Sequence, residues 1–427
     1  MRSTYVPPRG NPKAKIAIVG EQPGIREIRY EPPTPFVGSA GRALDDCLRI
    51  AKINRHECWM TNVIKDLDAP LEAYIKFKKN DSAISESGHE YIVELKNELE
   101  KLRPNVVIAL GNVALNALTS RMGITKWRGS VLESTLVDGL KVVPAFHPAT
   151  FIPPKFNYIN QPLLIMDLLK AKEESNYPEI TREFREIKIK PTYDEALAFI
   201  YKAFTLGLEG TIIDIDIEVI NEQLDCISLA ISPYEAMSIP FRNSDGDYYS
   251  VKEEMTIMKY IAQIIENPEI SKRGANFIFD LDFLLQRYGI IPAGDIHCTQ
   301  IAQKISYPDF PAGLDFVTTM WTDIPYYKVD GKKWMRNQVG KWETWWTYNG
   351  MDSIATSASH PNQLECLRMQ DNLETYNRQR KLILPLLYMM KHGIKVDIEG
   401  MKKQKELEEE QYLLSIEELN SAVGYEL

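Results

Sequence analysis

The chain of 427 residues has only five cysteines, Cys47, Cys58, Cys226, Cys298 and Cys366, and no two of them form a CxxC pair. That spacing excludes a disulfide scaffold and a zinc ribbon. The sequence also lacks an apolar run of about 18 residues and a charged-then-apolar leader, so neither a membrane span nor a secretory signal is expected. Repeats and low-complexity tracts are missing too. Excess positive charge is absent: 50 Lys and Arg face 59 Asp and Glu, for a net charge of −9. Any contact with nucleic acid must therefore come from local patches. Candidates are KFKK at 76–79, KWR at 126–128 and the Trp/Lys-rich GKKWMRNQVGKWETWW at 331–346, which mixes cations with rings as single-strand grooves do, or else packs its tryptophans in a core.

What is present is enough apolar material, 44% of residues, for two or three domains. Strand-like runs at 13–20, 58–64, 105–111 and 141–146 alternate with helical patterns, which predicts a compact α/β domain with a mostly parallel sheet. The polar, proline-bounded stretch after it reads as a linker at 176–187. A second α/β unit is expected over 188–375, followed by helices over 376–427, the first with a kink at Pro385.

Three short acidic segments carry the chemistry. In TIIDIDIEV, Ile213, Ile215 and Ile217 alternate with Asp214, Asp216 and Glu218, the period of two that a strand requires. Acids on a run otherwise so apolar and β-branched suggest a nearly buried strand, where metal ions or cationic partners remove the cost of charge. Asn276 to Asp280 leads into a helix-like repeat, and Tyr348 to Asp352 sets a hydroxyl and a carboxylate four residues apart on one helical face. Singly these read as a salt-bridged surface strand, a helix N-cap and a core tyrosine. Together, in this order, they can form one carboxylate cage for two divalent ions, the apparatus of phosphodiester hydrolysis.

The three segments resemble the motifs of the proofreading 3′–5′ exonucleases attached to family A DNA polymerases. The stretch PAGLDFVTTMWTDIPYYK at 311–328 is similar to the one those exonucleases carry between the second and third motifs. The resemblance implies a ribonuclease H-like fold. It also implies that Asp216, Glu218, Asp280 and Asp352 hold two Mg²⁺ ions, or Mn²⁺, and that Tyr348 orients the attacking water. Asn276 is expected to touch substrate. The Asp-x-Glu of the family is offered by Asp216-x-Glu218, while Asp214-x-Asp216 remains an alternative, with Asp214 as first ligand.

GEQPG at 20–24, PFVGSAGRAL at 35–44, TNVIK at 61–65, ALGNVALNAL at 109–118 and HPATF at 147–151 resemble, in that order, the family 4 uracil-DNA glycosylases. A three-layer glycosylase-like domain over 1–175 is implied. Phe36 is expected to stack on an extruded base, Asn62 to read its edge, His147 to polarise its oxygen, and Glu21 and Gln22 to lie beside the nucleotide. Two departures stand out. The cysteines that would hold an iron–sulfur cluster are lacking, with Asp66 where the family has one after TNVIK, so no cluster is expected. Gln22 stands where the wider superfamily often has a water-activating Asp.

Helices with a GI-x-VD turn at 393–397 resemble the opening of a family A polymerase body, and the whole arrangement is similar to DNA polymerases of large phages of Gram-positive bacteria. Palm and finger motifs do not follow, so a separate polymerase polypeptide is the expected partner, with single-stranded or frayed 3′ DNA ends as substrate. The setting expected is cytoplasm, the host's if a phage encodes the chain. Two alternatives remain: a repair protein with active uracil excision, and a module that binds DNA or a polymerase without chemistry.

Overall fold

The computed structural model of the chain describes residues 4–78, 81–328, 334 and 341–425. It divides into two bodies, Met1–Ile383 and Leu384–Leu427. The larger holds two six-stranded sheets.

In the first sheet Ile16–Gly20 lies between Trp59–Asn62 on one side and Val106–Leu110 then Lys141–Ala145 on the other, all parallel. Arg9–Gly10 and Leu132–Glu133 close the two edges antiparallel. The runs IAIVG, VVIAL and KVVPA are buried throughout. Continuous apolar strands are what a parallel sheet covered on both faces demands. Alternate residues feed two cores: Val107, Ala109 and Val142 pack with Leu95 and Leu99, while Ile18, Ile108 and Val143 pack with Leu44 and Leu48.

The second sheet is mixed, in the order Ile296–Cys298, Lys272–Gly274, Ile213–Ile220, Gln223–Ser232, Glu235–Pro240, Glu186–Lys188. Ile213–Ile220 and Gln223–Ser232 form an antiparallel hairpin turned by Asn221 and Glu222, at φ of 49° and 61°. Two successive positive φ values match the right-handed twist of the flanking strands. The helix Trp342–Met369 lies on this sheet. Gly350 permits the approach, since a Cβ there would sit 2.3 Å from Ile187 Cγ2.

Two expectations are corrected. The stretch at 176–187 is no free linker: Arg182 Nη2 donates to the Val131 carbonyl at 3.1 Å, Arg185 pairs with Asp323, and Glu186 already begins a strand. The segment read as one helix kinked at Pro385 is two helices, Leu373–Arg380 and Ile383–His392. Pro385 is the third residue of the latter, where a missing N–H costs no helical bond. In the smaller body Ile398–Val423 is one long helix, N-capped by Asp397, whose carboxylate accepts from Gly400 N at 3.0 Å. No helix among the described residues is long and apolar enough to cross a membrane.

Candidate metal centre

The hairpin strand Ile213–Ile220 buries Ile213, Ile215 and Ile217 on one face and turns its acids to the other. The helix Trp342–Met369 brings Asp352 over them. Carboxylate oxygens of Asp216, Glu218 and Asp352 lie within 4.8 Å of one another, the one such group of three among the described residues. Asp280, third residue of the helix Ile278–Tyr288, accepts from Ile217 N at 2.9 Å. It therefore fixes the backbone between Asp216 and Glu218, with one oxygen committed to that bond.

Burial raises Asp216 and Glu218 well above the usual carboxylate range, and repulsion from Asp352 adds to it. Burial likewise pushes Asp280 up to about 7. Among the described residues their close cation is Lys328, whose Nζ donates to Asp352 Oδ2 at 2.6 Å and to the Tyr348 hydroxyl at 3.2 Å. Burial works against its charge, but Asp352, Asp216 and Glu218 outweigh burial and hold the ammonium above its ordinary value. Among the described residues four acids face one ammonium, so positive charge is in deficit around them. A hard divalent cation with oxygen ligands fits that donor set and that deficit.

Tyr348 stands at the edge of the group. Its ring stacks on Trp345 at 5.4 Å and 3° between planes, and Trp345 stacks in turn on Trp334 at 5.0 Å. Burial, then the charges of Asp352, Glu218 and Asp216, keep its hydroxyl protonated, so it can donate.

Asp214 shares the face but is fully buried one step deeper along the strand. Arg273 grips both its oxygens, Nη2 to Oδ2 at 2.7 Å, and also donates to Ser357 Oγ. It is not in the group of three. Asn276 is exposed, with φ of 56°, just ahead of the helix that carries Asp280.

Three contributors were missed in the sequence. Asn349, fully buried, donates from Nδ2 to Asp216 Oδ2 at 2.8 Å and accepts from Ser238 Oγ at 2.7 Å. Tyr327 donates its hydroxyl to Asp352 Oδ1, and Lys328 takes the other oxygen. The available signals were a polar residue inside YNGMD and the YYK that ends the 311–328 stretch.

In the first sheet, Phe36, Asn62 and Gly20 meet: a Cβ on Gly20 would lie 2.3 Å from Asn62 Oδ1 and 2.5 Å from Phe36 Cζ. Phe36 sits at φ of 57°, a region costly for a bulky residue. Arg55 Nη2 holds the carbonyls of Pro35 and Phe36, each at 3.0 Å, and buried Glu27 accepts from the N–H of Gly24 at 3.0 Å. Glu21 and His147 both adjoin Gly111. Burial, then Lys155, lowers His147 to about 4, and its Nδ1 accepts from Ala149 N at 3.2 Å. The neutral ring therefore carries its proton on Nε2 and can donate it. Gln22 spends its amide nitrogen on the carbonyls of Asp66 and Ala69, at 3.0 and 2.9 Å. Asp66, in the cysteine position, accepts from the hydroxyls of Tyr74 at 2.7 Å and Tyr91.

The basic patches fare differently. Lys79, 331–333 and 335–340 lie outside the described residues. Trp334, Trp345 and Trp346 are buried in one aromatic cluster, so they serve a core. In KWR, Trp127 and Arg128 are buried, the latter against Asp167, leaving Lys126 exposed.

Comparison with known proteins places two families on the chain. Residues 7–163 match the uracil DNA glycosylase superfamily and residues 207–362 a family described as 3′-5′ exonuclease. A type-4 uracil-DNA glycosylase of Thermotoga maritima is 31% identical over 173 residues, 40% of this chain and 83% of that protein. A DNA polymerase of Bacillus phage SP01 is 24% identical over 325 residues, 70% of this chain; the chain spans 33% of that polymerase. Among solved structures, Brucella melitensis NrnC aligns over 49% of this chain and 94% of its own, with 15% identity and a TM-score of 0.36.

Proposed function

We propose a proofreading role on the premise that this chain belongs to the type-4 uracil-DNA glycosylase family through its first domain and carries a 3′–5′ exonuclease domain after it. It is the editing portion of a phage-type DNA polymerase, removing nucleotides from single-stranded or frayed 3′ DNA ends. The observation that carries this is the convergence of Asp216, Glu218 and Asp352 on one point, beside Asp280 and Tyr348.

Two Mg²⁺ ions, or Mn²⁺, would be held by Asp216, Glu218, Asp280 and Asp352, and when bound would neutralise the phosphodiester and acidify a water. The protein's own groups do the rest. Tyr348, its hydroxyl fixed by Lys328, orients the attacking water with Glu218. Asn349 fixes the Asp216 carboxylate, and Asp280 fixes the strand between the two acids of the hairpin. Asn276, exposed just ahead of the helix that carries Asp280, meets the DNA.

The glycosylase-type domain takes an extruded base between Phe36 and Asn62, with the neutral His147 donating to it and Glu21 and Gln22 alongside. We divide the chain at 1–175, 188–375 and 376–427, with 176–187 an anchored connection rather than a free linker and the last part opening a polymerase body. A polymerase palm and fingers are the partner that suits it.

The test incubates the purified chain with a 3′-mismatched oligonucleotide and a uracil-containing one, with Mg²⁺ and with EDTA. Metal-dependent 3′ shortening supports the reading. Abasic sites formed in EDTA, with no shortening, replace it by uracil excision.

A further inference from the structure

Residues Tyr326, Tyr327 and Lys328 are consecutive, yet they serve different halves of the larger body. The Tyr326 side chain is buried in the core of the glycosylase-type half, 5.2 Å from Trp127 in an edge-on ring contact, and its N–H donates to Ser130 Oγ at 3.1 Å. The next two residues occupy both oxygens of Asp352 in the metal centre. The segment leading to them is held from the same half. Lys170 Nζ donates to the carbonyls of Thr319 and Thr322, both at 2.9 Å, and to that of Gly129 at 2.8 Å.

These contacts are strong for physical reasons. Thr319 and Thr322 lie at the C-terminal end of the helix Leu314–Trp321, where unpaired carbonyls gather negative charge and a cation is favoured. An ammonium shared among three carbonyls leaves no donor idle. Below it, Arg128 and Asp167 form a buried pair, with Arg128 also over the Phe316 ring at 5.3 Å. Arg128 Nη1 is left buried without a partner, so the ordering contact across this packed boundary is the fully satisfied Lys170 ammonium.

We propose that the glycosylase-type half is a working part of the nuclease: through Lys170, Ser130 and Trp127 it anchors residues 319–328 as a strap that sets Asp352 for metal and water. These three are positioning residues, which touch neither substrate nor metal. The proposal rests on the nuclease reading for its kinetic consequence only; the anchoring itself can be tested without turnover.

The full chain is compared with Lys170→Met, the milder Ser130→Ala, and Glu173→Gln, an exposed control on the helix Asn160–Glu174 that also carries Lys170. Hydrogen exchange is followed by mass spectrometry without substrate, and 3′ shortening is measured with Mg²⁺. Lys170→Met is expected to speed exchange at 319–328 and at 345–353, around Asp352, while the strands of the first sheet keep their protection. Its kcat falls about tenfold or more with KM unchanged, because small displacements of positioned groups lose rate before binding. Ser130→Ala shows the same pattern more weakly, and Glu173→Gln none. Faster exchange confined to 319–325 with kcat unchanged overturns the proposal. If the unaltered chain shortens no DNA, the nuclease reading fails, and exchange around Asp352 still decides the anchoring.

Discussion

Arg273 closes on Asp214 with two nitrogens, the Nη2 to Oδ2 contact at 2.7 Å, and so occupies an acid that lies two residues from Asp216 and outside the candidate metal group. Strand periodicity puts Asp214, Asp216 and Glu218 on one face without saying which meets a cation from the protein. Arg273 lies on a parallel neighbouring strand, in register with Asp214.

Asp214→Asn and Asp216→Asn should therefore separate structure from chemistry. Breaking a buried pair leaves Arg273 without its countercharge, so Asp214→Asn should lose about 3 kcal/mol in denaturant unfolding. Exonuclease rate per folded molecule should stay within about threefold. Asp216→Asn should do the opposite, holding or gaining stability as repulsion in the acid cluster is relieved, and losing all measurable shortening.

Tyr348→Phe keeps the ring that stacks on Trp345 and removes only the hydroxyl. The expected result is a fall of about 100-fold in kcat, with Mn²⁺ affinity by calorimetry unchanged, since in the proposed mechanism the hydroxyl positions water and is no metal ligand. Equal losses in affinity and rate would assign the tyrosine a structural role.

Two buried histidines cost stability on the acid side, while the raised carboxylates of Asp216, Glu218 and Asp280 work the other way. Burial lowers His147 to about 4 and His297 to about 4, below the ordinary value of 6.5. A depressed imidazole gives stability that is complete above pH 6.5 and lost as pH falls toward 4, because unfolding lets the ring take its proton. The urea midpoint of the unaltered chain should therefore fall relative to that of His147→Gln across that window. Nuclear resonance of His147 should titrate below pH 5.

Asn62→Ala should weaken binding of a uracil-containing single strand by about tenfold, the scale of one or two hydrogen bonds, and leave 3′ shortening of a uracil-free primer unchanged. Gel shift and end-labelled digestion on the same preparation check the two halves of that statement.

Much of this was legible in the sequence, because two kinds of pattern are local. Alternation of isoleucine with acids gave the strand 213–220, and buried apolar runs gave the parallel sheet. Tyr348 and Asp352 share a helical face by spacing alone. What stayed hidden depends on tertiary partners. Asn349 reads as an ordinary polar residue until the helix lies on Asp216, and Lys328 until it is seen donating to Asp352. The tryptophans of 331–346 read equally as a stacking platform or a core, and only packing decides. The 176–187 stretch looked like a linker since its anchors, Val131 and Asp323, lie far away in sequence.

The most direct test of the central claim follows a 5′-labelled primer with a mismatched 3′ end, with Mg²⁺, with EDTA, and with Asp216→Asn. A ladder that shortens one nucleotide at a time from the 3′ end with Mg²⁺, and is lost both in EDTA and in the variant, is the expected result. Shortening that persists in EDTA or in Asp216→Asn, or none in any lane, contradicts a nuclease built on Asp216, Glu218 and Asp352.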